Sequence, residues 1–158
     1  MGDINIVFAR IDNRLVHGQV GMVWANTMGA NILVVVDDDV VNDQVQQELM
    51  RMTVARNNLP IRFWSTQQTI DTIWKASPSQ KIFIITKTPK TMRKLVEGGV
   101  PIKAVNIGNM HTSAGKRQYK TAYVYVDDDD MADLDAMKAQ GVKLSIQVLP
   151  DYKKVIID

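Results

Sequence analysis

Ile32-Leu-Val-Val-Val36 followed by Asp37-Asp-Asp39 is an aliphatic run without polar alternation, closed by three carboxylates. Such a run marks a strand buried on both faces, as in parallel sheets covered by helices on each side. Carboxylates at this junction accept the unpaired N–H groups of a helix start and offset the positive end of its dipole. Val41, Val45, Leu49 and Met52 then recur at helical spacing and predict a long second helix with one apolar stripe.

The same alternation repeats on both sides of this unit. Ile4–Ala9 reads as a first strand, and Val20, Val23, Trp24, Thr27 and Met28 fall on one helix. Downstream, Pro60–Trp64 and Lys81–Thr86 read as strands, with Ile70, Ile73 and Trp74 marking a helix between them. Pro89 suits the first turn of a further helix carrying Met92, Leu95 and Val96 and ended by Gly98-Gly99. A fifth strand at Ile102–Ile107 is followed by a polar loop over 108–120, and Ala122–Val126 is a sixth. Asp127–Asp130 open a helix with Met131, Leu134 and Met137, which stops at Gly141, and Val142–Leu149 is a last strand ended by Pro150. Strands alternating with helices predict an α/β fold, a single-domain open twisted, mostly parallel sheet with helices on both faces, spanning residues 1–158. The echo between Val34–Asp39 and Val124–Asp130 is shared capping chemistry and not a duplicated domain.

Composition narrows the function. The chain has 158 residues, enough to bury a real core, and a net charge of +2, too small a bias to argue for nucleic acid. No cysteine is present, which removes disulfides, thiol nucleophiles and cysteine zinc sites. No aliphatic run approaches the length of a membrane span, and the N-terminus lacks the basic and apolar regions of a signal peptide, so a cytoplasmic protein is expected. The acidic runs lack a Glu or Gly at calcium-loop spacing and read as helix caps, so no metal site is expected. Nucleotide and hydrolase signatures are missing too, and no cofactor is implied.

The chemistry-bearing stretch is Arg10-Ile-Asp-Asn-Arg-Leu-Val-His-Gly-Gln-Val20, the first strand-to-helix loop. In an open parallel sheet, this loop lies at the carboxyl end of the strands, where such folds bind ligands. His17 is a candidate nucleophile. Arg10 and Arg14 offer cationic forks for a phosphoryl group, and Gly18 and Gln19 lead its oxygens to the N–H groups of a helix start. Asp12 or a nearby carbonyl can fix the imidazole tautomer by accepting a ring N–H. His111, with Asn109, follows the fifth strand and is either a supporting residue of the same crevice or an ordinary loop histidine. A nucleotide- or anion-binding regulatory module without turnover, or a small acid–base enzyme using His17 and Asp12 on a phosphorylated metabolite, is an alternative reading of the same loop.

This loop resembles the active-site signature of the IIB components of the phosphoenolpyruvate-dependent sugar phosphotransferase system, in its mannose/fructose/sorbose class. Val45–Met50, Lys87–Pro89, Gly98–Pro101, Asn106–His111 and Gln147–Pro150 also resemble family positions. The resemblance implies that His17 takes a phosphoryl group from a separate IIA protein and passes it to a sugar. The sugar is then being carried through the membrane by IIC and IID subunits. It implies Nδ1 as the attacking atom, Arg14 as the residue that steadies the phosphate, and Arg10 and Asp12 as motif residues of less defined role. It further implies a peripheral position at the inner face of the membrane through IIC and IID. Ile61–Trp64 and Gly108–His111 are similar to N-acetylgalactosamine- or galactosamine-type systems. Other IIB classes carry the phosphoryl group on cysteine, which this chain lacks. A homo-oligomer remains open on sequence alone.

Overall fold

The computed structural model describes residues 3–158. Among the described residues, nine strands and five α-helices occur in the order β1 (Asn5–Asp12), α1 (Val20–Met28), β2 (Ile32–Val36), α2 (Gln44–Val54), β3 (Ile61–Trp64), α3 (Thr66–Thr72), β4 (Lys81–Thr86), α4 (Pro89–Glu97), β5 (Ala104–Asn109), β6 (Arg117–Tyr119), β7 (Thr121–Val126), α5 (Asp128–Ala139), β8 (Lys143–Ile146) and β9 (Val155–Ile157). Seven strands form one sheet in the order β3-β2-β4-β1-β5-β8-β9, parallel except for β9. The fold is the expected single-domain α/β architecture.

Period-two alternation assigns the two faces. Leu33, Val35, Phe83 and Ile85 pack with Met22, Trp24 and Ala25 of α1 and Met50 and Val54 of α2. Val34, Val36, Ala9, Ile11, Ile84 and Ile107 point the other way and pack with Met92 and Leu95 of α4 and Leu134 and Met137 of α5. The chain therefore leaves β1 over one face, whereas it leaves the neighbouring β4 over the opposite face. The carboxyl end of β1, where the chain diverges in this way, is the position where doubly wound sheets hold ligands.

The acidic junctions cap, as expected. Asp37 Oδ1 accepts from the N–H groups of Asp39 and Val40, and Asp127 and Asp130 form a reciprocal capping box at the start of α5. The cap of α2 itself is Asp43, whose side chain accepts from Gln46 N–H.

Four expectations are corrected. β1 runs past Ala9 to Asp12, because Arg10 and Asp12 find polar partners inside the fold while Ile11 enters the core. The loop over 108–120 contains β6, and β7 pairs with it as a separate antiparallel hairpin, joined to β5 only through a bridge between Met110 and Val124. β8 ends at Ile146, and the short β9 at the C-terminal end was hidden by its length. The expected core stripe of the second helix is also inverted. Val45, Leu49 and Met52 are 72%, 60% and 70% exposed, and α2 instead buries Met50 and Val54.

Candidate functional site

The site begins with two polar residues at the end of the central strand. Arg10 and Asp12 share one face of β1, and both are essentially fully buried. The Arg10 guanidinium lies 5.6 Å from the Trp24 ring centroid. Its Nη1 donates to Asn106 Oδ1 at 2.6 Å and to the Gln147 carbonyl at 3.1 Å, and its Nη2 donates to Asp12 Oδ2 at 3.1 Å. Asn106 Nδ2 also donates to the Gln147 carbonyl, which closes the clamp.

Space for this guanidinium comes from Gly108. A Cβ there would fall 2.0 Å from Arg10 Nη2. The β1–β5 register shifts at the same place, from Ile11 opposite Ile107 to Asp12 opposite Asn109.

Asp12 passes the charge outward. Its Oδ1 accepts from the Arg14 N–H at 2.9 Å and weakly from Arg14 Nε at 3.5 Å, and its Oδ2 lies 3.2 Å from His17 Nε2. Burial works to raise the Asp12 pKa. Hydrogen bonds from His17 and Arg14 and the charges of Arg10 and His17 outweigh it and hold the carboxyl below the ordinary value. Desolvation lowers the Arg10 pKa, opposed by the adjacent carboxylate.

The loop geometry exposes the histidine. Leu15 takes a left-handed φ of 56°, and its N–H donates to the Asp12 carbonyl, turning the chain sharply out of β1. Leu15 and Val16 are buried and pin the loop, while the His17 side chain stays 24% exposed and that of Arg14 46%. Gly18 has φ 48° and open space around its α-carbon, so glycine serves backbone conformation there. Gln19 is the N-cap of α1 but makes no side-chain cap, so the first N–H groups of the helix stay available to an anion. Trp24 Nε1 donates to the Val148 carbonyl and fixes α1 against the segment after β8.

The predicted residues divide into three groups. Asp12, Arg14, His17, Gly18 and Gln19 come together at the end of β1 and the loop to α1, and Arg10 stands behind them as a buried cation. Asn109 ties the end of β5 to the loop through its carbonyl, which accepts from the Asn13 N–H, and through a side-chain bond to Asn13 Oδ1. His111 is exposed and takes no part in this hydrogen-bond network. Asn106, Gly108 and Gln147 carry no role in the sequence reading. The signal for them is Arg10 itself, since a charged residue inside a central strand needs partners from the strands beside it. Among the described residues no group of His, Asp and Glu is arranged to hold a metal ion.

A half-buried histidine backed by a buried carboxylate–arginine pair thus stands beside a helix N-terminus. Comparison with known proteins names its family. The PTS system sorbose subfamily IIB component matches residues 6–158, and the chain belongs to that family. It is a phosphotransferase-system transferase of sugar transport. The N-acetylgalactosamine-specific phosphotransferase enzyme IIB component 1 of Escherichia coli is 56% identical over 155 residues, 98% of each chain. Its crystal structure superposes with a TM-score of 0.94, covering 98% of this chain and 100% of that one. An N-acetylgalactosamine IIB component from Streptococcus pyogenes gives a TM-score of 0.91 at 37% identity, covering 100% and 97%. The IIB domain of the sorbose permease of Klebsiella pneumoniae gives 0.87 at 30% identity, covering 96% and 92%.

Two predictions follow from the clamp. Gly108→Ala forces the guanidinium out of its slot and costs about 1–3 kcal/mol; urea denaturation measures the loss, and an unchanged midpoint contradicts the packing. Asp12 has a folded-state pKa below its unfolded value. Its contribution is therefore complete above about pH 4 and is lost as pH falls through the lowered value. Asp12→Asn, which leaves Arg10 buried without its counter-charge, is expected to lose about 3–5 kcal/mol at neutral pH. It should also show a shallower acid dependence than the wild type.

Proposed function

We propose that His17 is the phosphoryl-carrying residue of this IIB component. It accepts the group from a IIA phosphodonor protein and delivers it to a sugar held by the IIC and IID membrane subunits. One observation carries this reading. His17 is the half-buried, solvent-reaching end of a chain of contacts, Arg10–Asp12–His17, whose inner members are buried. A neutral imidazole holding its proton on Nε2 donates to Asp12 and keeps a lone pair on Nδ1.

In the first step the Nδ1 lone pair attacks phosphorus in line, and the nitrogen–phosphorus bond to the donor's histidine breaks. The electron pair returns to the donor ring. Positive charge grows on the His17 ring during attack, and Asp12 stabilises it without taking the proton. Negative charge spreads over the equatorial oxygens, where Arg14 and the N–H groups around Gly18, Gln19 and the start of α1 can meet it. In the second step a sugar hydroxyl oxygen attacks, the bond to Nδ1 breaks, and the hydroxyl proton leaves to a base on the acceptor side. No cofactor enters either step.

The names of the relatives support N-acetylgalactosamine or a related amino sugar as the acceptor. Among the described residues no helix is long and apolar enough to cross a membrane. This fits a component that works at the cytoplasmic face and reaches the sugar only through IIC and IID. Of the basic residues near this end, Arg93, Lys116 and Arg117 are engaged with Glu97, Asp133, Asp130 and Asp128, which leaves Lys87 and Lys90 for a docking rim.

The test is transfer of label from phosphoenolpyruvate through enzyme I, the histidine carrier protein and a cognate IIA. Wild type is expected to take up acid-labile, base-stable label, while His17→Gln folds normally and takes up none. Label on the variant would overturn the assignment, and phosphate binding without covalent label would favour a non-catalytic module.

A further inference from the structure

The oxygen that holds the His17 ring is shared with a buried cation. Asp12 Oδ2 lies 3.2 Å from His17 Nε2 and also accepts from Arg10 Nη2 at 3.1 Å. A lone carboxylate beside an imidazole favours the protonated ring. A protonated ring has donors on both nitrogens and no lone pair with which to attack phosphorus. The loop therefore meets two opposed demands. It needs an acceptor that fixes the ring, and it must avoid a net negative charge that keeps the ring protonated before the donor arrives.

Arg10 answers the second demand. Arg10 and Asp12 are both buried, so water does not screen the guanidinium from the carboxylate, and together they face His17 as a dipole of no net charge. Arg14 cannot replace it, because its Nε stands 3.5 Å from Oδ1 on a half-exposed side chain. The adjoining elements add no second buried charge. Helix α1 carries no charged residue, β5 contributes Asn106 and Asn109, and β8 is followed by Gln147. Lys87 and Lys90 after β4, His111 after β5 and Asp151 after β8 are half-buried or exposed, and are unchanged among the variants compared below.

Asn106 aims the guanidinium. Its Oδ1 accepts from Arg10 Nη1 at 2.6 Å, and its Nδ2 donates to the Gln147 carbonyl, which also accepts from Nη1. These inner acceptors are neutral. They hold the guanidinium without competing for its charge and leave Nη2 to Asp12.

We propose that Arg10 is a positioning residue for phosphoryl transfer that acts through Asp12: it cancels the carboxylate's charge on the resting His17 ring while leaving the ring's hydrogen bond intact, and Asn106 holds it in place. The consequence for transfer rests on the phosphocarrier reading of His17; the charge balance itself does not. The carboxylate is the nearer of the two charges, so it still stabilises the positive charge that grows on the ring during attack.

Imidazole NMR titration of the unphosphorylated protein reads this balance, with the His17 signals identified by their loss in His17→Gln. Arg10→Met removes the cation and should raise the His17 titration midpoint by about 1–2 pH units. Asn106→Asp adds a second carboxylate that competes for the guanidinium and should raise it by about 0.5–1 unit. Asp12→Asn leaves the cation alone and should lower the midpoint. Arg10→Met combined with Asp12→Asn removes both charges together and should fall between the two single variants. Circular dichroism checks folding, and where Arg10→Met does not fold, Asn106→Asp and the double variant carry the test. In single-turnover transfer from phosphorylated IIA, the acid limb of the rate should move up with the midpoint in Arg10→Met and Asn106→Asp. Their loss of rate should be greatest at acid pH and shrink as pH rises. Unmoved midpoints, or a rate lowered equally at every pH, overturn the proposal and leave the clamp a purely structural device. A wild type that takes up no label overturns the phosphocarrier reading instead, and the midpoints then still decide the charge balance.

Discussion

The carboxylate of Asp12 is the interaction on which the site depends. It is fully buried, and a buried carboxylate is tolerable only when paired and hydrogen-bonded. Arg10 supplies the counter-charge from within, and the Arg14 backbone and the His17 ring take the outward lone pairs. Each partner is held in turn: Arg10 by Asn106 and Gln147, and the loop by Leu15 and Val16. The His17 ring is oriented by a rigid interior although it sits in an exposed loop. That combination suits a residue that must meet other proteins and still present one nitrogen.

The sheet makes this arrangement possible. β1 lies between β4 and β5, and only a central strand can place an arginine where neighbouring strands clamp it from one side. The chain leaves β1 and β4 over opposite faces, with α1 packed on one and α4 on the other. Gly108 and the register shift of β5 create the slot for the guanidinium. Backbone irregularity, buried charge and the loop after β1 are thus one construction, which fixes side-chain orientation beside the start of α1.

Much of this was legible in the sequence. Ile32–Val36 and Lys81–Thr86 announce buried strands because both faces need apolar residues, and Pro89 and the aspartate runs mark helix starts by backbone chemistry. The His17 loop was readable because its residue types and its place after a first strand agree. The clamp was less legible. Arg10 and Asp12 look like loop residues, since polarity ends a strand pattern unless partners such as Asn106 arrive from positions far along the chain. The α2 stripe misled because periodicity gives the angle between residues and not which side faces the core. In α2 both sides carry apolar residues, and packing chose Met50 and Val54. β6 and β9 were too short to show a period.

The central claim is that Asp12 holds the His17 ring with its proton on Nε2 and leaves Nδ1 to carry the phosphoryl group. Long-range proton–nitrogen NMR of the imidazole, recorded at neutral pH before and after phosphorylation, reads both nitrogens directly. The account predicts an Nε2–H ring in the free protein and phosphorus coupling on Nδ1 in the phosphorylated one, with the tautomer preference lost in Asp12→Asn. An Nδ1–H ring in the wild type, or phosphorus coupling on Nε2, would contradict it.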